Sequence, residues 1–167
     1  MSRAFIKEPD GDQVPEEIPE RLQSPHTNYV TSSGLLQLQD RVRQLAGRRD
    51  KLLQAGDKAD KKQLQYVLRD LRYYEERLRR AVPVDTANQP DDEVQFGATV
   101  DVQGPDGRFR VYTIVGEDEA DATQGKISWV SPLARALIDG RVGDVVTWKR
   151  PAGEIELRIV RVRTSSG

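Results

Sequence analysis

Cysteine is absent from the 167 residues, and histidine occurs once, at His26. That rules out disulfides, thiol catalysis and thiolate metal sites, and it leaves almost nothing to ligate zinc. No apolar run approaches the length of a membrane span and no apolar core of a signal peptide is seen, so a cytoplasmic location is expected. Aromatic residues make up only 6% of the chain, no more than a core requires. Charge of one sign is also lacking, since the net value is −1. What is present is 37% apolar and 32% charged residues, a balance that suits a soluble domain carrying an exposed accessory element.

The charge is unevenly placed. Between Gly34 and Val82 there are thirteen Lys/Arg against seven Asp/Glu, so this stretch is basic and the remainder acidic. Leu35, Leu38, Val42, Leu45 and Leu52 follow alternating spacings of three and four, interrupted by Arg49, and Leu64, Val67, Leu71, Tyr74, Leu78 and Ala81 repeat the pattern. Between the two runs, residues 55–62 hold no large apolar side chain and contain Gly56, a helix stop. Two matched seams flanking such a break predict an antiparallel helical hairpin, with arms of roughly 22 residues reaching about 33 Å. A rod of that length is not buried by a small domain.

Upstream, residues 1–28 carry four prolines among acidic residues and read as a disordered acidic tail, with residues 3–7 as its one patch suited to docking. The hairpin unit is assigned to 29–82, with a hydroxyl of Thr31-Ser32-Ser33 capping its first helix. Residues 83–92 are a linker by their prolines and short polar residues. From 93 to 167 the period becomes alternating. Strands are expected around Val94–Val102, Phe109–Val115, Lys126–Val130, Val142–Lys149 and Ile155–Val162, with a short helix opened by Ser131-Pro132 and stopped by Gly140. The fold class is α+β: a helical hairpin, then a five-stranded antiparallel sheet with one helix.

Several blocks now carry a family resemblance. Phe96-Gly97-Ala98-Thr99-Val100, Val115-Gly116-x-Asp118-Glu119-Ala120, Ser131-Pro132-Leu133-Ala134-Arg135-Ala136-Leu137, Val142-Gly143-Asp144 and Pro151-Ala152-Gly153-Glu154, placed after a helical hairpin, resemble the bacterial Gre transcript-cleavage factors of GreA/GreB type. The resemblance covers about Tyr29 to Val162. It implies an FKBP-like C-terminal domain that grips RNA polymerase, through Ser131, Pro132 and Leu133, near the rim of its secondary channel. It also implies a hairpin that enters the channel toward the nascent RNA 3′ end. Gly56-Asp57-x-x-Asp60 matches the family's tip acids, so Asp57 and Asp60 become the candidate catalytic assistants and ligands of a shared Mg²⁺, with Arg48, Lys58, Lys61 and Lys62 as RNA-facing cations. A hard cation taking carboxylates and waters, and activating one of those waters, suits that role.

Against the family pattern, Asp60 stands where the longer Glu is usual, Lys61 replaces an Asn, each arm is roughly a heptad shorter, and Val130 precedes Ser131-Pro132. Two functions therefore stay open: a factor that promotes cleavage of backtracked RNA, and a non-cleaving regulator that occupies the channel. A coiled-coil adaptor is the third reading, disfavoured because the seam is spent within a monomeric hairpin. A prolyl isomerase is disfavoured by the shortage of aromatics. In every surviving reading the chain is an accessory factor and not itself an enzyme.

Overall fold

The computed structural model describes residues 17–164. Strand β1 (Asn28–Val30) leads into α1 (Ser32–Gln54). A single 3-10 turn, Gly56–Lys58, forms the tip, and α2 (Lys61–Arg79) returns to β2 (Ala81–Pro83). Helix α1 starts where it does because Thr31 stays extended and its hydroxyl accepts from the Gly34 N–H at 3.0 Å. Gly56 adopts φ +56°, the left-handed turn that lets the chain reverse without a Cβ penalty. The arms close over Leu45, Val67 and Leu71, all nearly fully buried, flanked by Val42, Leu52 and Tyr74. Arg49 keeps its head at the surface, paired with Asp50 at 3.0 Å.

The second layer is a five-stranded sheet in the order β5 (Lys126–Ser128), β4 (Phe109–Val115), β3 (Thr99–Gln103), β7 (Ile155–Arg163), β6 (Val145–Trp148). Its pairs are antiparallel except β4 with β5, which run parallel through Ile114 and Ile127, so the expected all-antiparallel sheet is corrected at one edge. Helix α3 (Pro132–Leu137) covers one face. Its Leu133, Ala134 and Leu137 pack with Val100, Val102, Ile114 and Ile159 in the domain core. Val94 lies in that core but outside any strand; a bridge between Glu93 and Arg141 precedes β3. Strand β6 begins only at Val145, because Gly143 turns the chain with φ +94°.

Two other expectations are corrected. Residues 17–27 are not a detached tail: they run along α2, and Asn28 is buried in β1. Residues 1–16, including the patch at 3–7, lie outside the described residues. β1 and β2, which the sequence reading did not anticipate, pair in parallel to close the base of the hairpin, and the Val84 N–H donates to the Val30 carbonyl at 3.0 Å just where the linker was expected to begin.

Candidate functional site at the hairpin tip and its root

The tip is built from a stop and a start. α1 ends at Gln54 and the 3-10 turn carries Asp57 and Lys58, both exposed. Ala59 and Asp60 are then extended before α2 begins. Asp57 and Asp60 therefore do not share one continuous helical turn, although they stand three residues apart. Asp60 is the N-cap of α2: one carboxylate oxygen accepts from the Gln63 N–H at 3.1 Å. The Asp57 carboxylate has no such task. No group of three or more His, Cys, Asp or Glu that could hold a metal occurs among the described residues. The donor set thus fits one or two carboxylate contributions to a magnesium ion whose other ligands come from elsewhere, and does not fit a self-contained cage.

The cations are arranged around the same point. Lys58, Lys61 and Lys62 are exposed, and Arg48 sits on α1 about 9 Å below the helix end at 1.5 Å per residue. Lys61 and Lys62 occupy the first turn of α2, which holds no acidic residue. There they oppose the helix dipole, a placement that costs roughly 0.3–1 kcal/mol per charge. Stability alone would favour acids at these positions.

At the opposite end, the root fixes where the tip points. Arg77 is fully buried. Its Nε donates to Asp118 at 2.7 Å and its Nη2 to the Asn28 side-chain oxygen at 2.5 Å, with Glu117 3.5 Å away. Asn28 in turn donates to the Arg77 carbonyl at 2.7 Å. Beside it, the Glu119 carboxylate accepts from the backbone N–H of Thr31 at 3.2 Å and of Gly116 at 3.1 Å, and from the Thr31 hydroxyl. Gly34 is required here, since a Cβ would stand 2.1 Å from the Glu119 carboxyl carbon. Sequence reasoning missed this cluster, although Glu117-Asp118-Glu119 lies within a block already singled out. Burial also pushes the Tyr73 phenol upward, and the neighbouring Asp118 carboxylate adds to the shift.

The docking candidates divide. Ser131 caps α3 by accepting from the Ala134 N–H at 3.3 Å, and Pro132 is exposed. Leu133 is 4% exposed and belongs to the core, so it cannot be a surface contact. Pro132, Arg135, Thr147 and Lys149 line a shallow open cleft on this face.

The fold and the site define an α+β domain that carries a projecting pair of helices, rooted by the buried Arg77 and ending in acids and lysines, and the comparisons say which family shares this architecture. The profile "Transcription elongation factor, GreA/GreB, C-term" matches residues 89–164. Transcription elongation factor GreB of Neisseria meningitidis serogroup B is 38% identical over 151 residues, covering 81% of this chain and 93% of that protein. The chain belongs to the GreA/GreB family of transcription elongation factors. Transcription elongation factor GreA of Alkalilimnicola ehrlichii is 45% identical over 109 residues, 64% of this chain and 69% of that one. Among solved structures, GreA factor homolog 1 (Gfh1) of Thermus thermophilus aligns over 83% of this chain and 99% of its own at 26% identity, with a TM-score of 0.40.

Proposed function

We propose that the protein binds RNA polymerase through its C-terminal domain and inserts the hairpin into the secondary channel, where the tip promotes cleavage of backtracked RNA. The observation that carries this reading is the tip itself: an exposed Asp57 carboxylate beside Lys58, Lys61 and Lys62, two of which sit where helix stability opposes them. Such a cost is consistent with selection for a polyanionic target. Helices of 23 and 19 residues hold this group about 28–34 Å from the root. The ion pairs of Arg77 and the bonds of Glu119 keep the lever stiff, which positioning a carboxylate at a reaction centre demands.

At the reaction centre, Asp57 would offer both carboxylate oxygens and Asp60 the one not engaged in capping α2. A magnesium ion shared with the polymerase would supply a polarised water there. The lysines would hold the RNA phosphates by charge-assisted contacts. One observation favours the non-cleaving alternative, namely that Asp60 already spends an oxygen on Gln63. Transcript cleavage by a stalled elongation complex, with the purified wild type and with Asp57→Asn, separates the two readings. Stimulation lost in the variant supports cleavage, and no stimulation by the wild type supports channel occupancy.

A further inference from the structure

Residues 17–27 lie along α2 in the direction of that helix, from near its tip end toward its base. Glu17, Ile18 and Pro19 line a cleft of about 520 Å³ together with Lys61, Lys62 and Arg69. Further along, Arg72 donates to both carboxylate oxygens of Glu20, at 3.3 Å through Nε. The Arg21 guanidinium lies 3.8 Å from the centre of the Tyr73 ring and 3.5 Å from Asp70. The Gln23 amide donates to the Tyr73 carbonyl at 3.2 Å, and Arg80 fastens the lower end by donating to the Ser24 carbonyl at 3.2 Å.

The strap leaves the hairpin seam alone, since Leu45, Val67 and Leu71 are buried between the two helices. It covers the charged flank instead. Two of the contacts it makes there, Glu20 with Arg72 and Arg21 with Tyr73, have a common meaning. A guanidinium that donates a forked pair to a carboxylate donates the same pair to a phosphate, and a tyrosine ring that takes a planar cation on its face takes a nucleobase in the same way. Glu20 and Arg21 therefore stand in the chain as a phosphate and a base would.

We propose that residues 17–24 are an intramolecular mimic of a nucleotide that occupies Arg72 and Tyr73 in the free protein and is displaced by single-stranded RNA. This inference goes beyond the proposed function and does not require cleavage. It predicts a sign that charge counting reverses. Arg21→Ala removes a cation, so simple electrostatics makes RNA binding weaker, whereas release of the strap makes it tighter by about two- to fivefold, the scale of an exposed pair no longer competing. Glu20→Gln should tighten binding in the same range.

The test is fluorescence anisotropy of a labelled single-stranded RNA oligonucleotide with the full chain, the melting temperature of each variant serving to confirm folding. Tighter binding by both folded variants is expected. Unchanged or weaker binding by Arg21→Ala, or no binding by either variant, overturns the inference. Neither result bears on cleavage, which depends on Asp57 and is read in a separate assay.

Discussion

Nε of the fully buried Arg77, on α2, lies 2.7 Å from the carboxylate of Asp118, on the turn that follows β4. This pair crosses from hairpin to domain. Arg77 is fully buried but Asp118 keeps 17% of its side chain exposed, so truncating the arginine leaves a partly solvated carboxylate and the loss falls toward the low end of the roughly 3–5 kcal/mol that breaking a buried pair costs. Arg77→Ala should therefore lower the stability of the whole chain by that order and split its unfolding into two steps, as followed by circular dichroism in denaturant. Asp118→Asn should cost less, because Glu117 remains 3.5 Å from the guanidinium. A single transition of unchanged midpoint for Arg77→Ala would show that the root is held by other contacts.

Gly34→Ala places a methyl against Glu119, where the ideal Cβ meets the carboxyl carbon at 2.1 Å. Overpacking of this kind costs roughly 1–3 kcal/mol. Adding Glu119→Ala removes the clash along with the Thr31 bonds, so the double variant should be more stable than the sum of the two single losses predicts. Thermal melts of the four proteins measure the coupling, and strict additivity would mean the two sites do not touch in solution.

Much of the hairpin was legible in the sequence because Leu45, Val67 and Leu71, with Val42, Leu52 and Tyr74, pack together at helical spacing. The root was not legible. Arg77 sits one residue from the seam position Leu78 and reads as surface charge, and its burial depends on Asn28, 49 residues away. β1 and β2 have three residues each, too short to show a period. The Ser131-Pro132 cap was visible in the sequence, but the face that α3 buries is decided by the sheet beneath it, so Leu133 was assigned to the wrong side. The strap escaped notice because its proline-rich acidic composition signals disorder, and its order comes from pairing with α2.

Docking on the polymerase is testable without unfolding the domain. Leu133→Asp puts a charge in the core and should abolish folding of the C-terminal domain. Pro132→Ser and Arg135→Glu alter exposed positions that line the cleft with Thr147 and Lys149 and should leave the melting temperature within about 2 °C, consistent with surface changes worth under 0.5 kcal/mol. A pull-down with RNA polymerase is expected to lose the Arg135→Glu protein, and full retention would place the contact elsewhere.

Strap docking should depend on acid. The hydrogen bond from Arg72 holds the Glu20 carboxyl below the usual carboxylate range, with Arg69 adding to the effect. A depressed folded value means the contact is fully present above the ordinary Glu range and is lost as pH falls through the lowered value. Arg72 and Arg69 are the charged groups that act on it, while Arg21 beside it is paired with Asp70. Near-ultraviolet circular dichroism of Tyr73 and Tyr74 should therefore change in that acidic window in the wild type and stay flat there in Glu20→Gln. The same titration in both proteins would detach the signal from Glu20.

The carboxylate at the tip is the centre of the functional reading, and Asp57→Asn is its most direct probe. The substitution keeps the side chain's shape, removes its charge, and leaves the Asp60 cap and the rooted base untouched. The measurement is the rate of RNA cleavage in a stalled elongation complex, with polymerase binding checked in parallel. Cleavage stimulated by the wild type and lost in an equally well bound Asp57→Asn is the expected result. Equal stimulation by both proteins would contradict it.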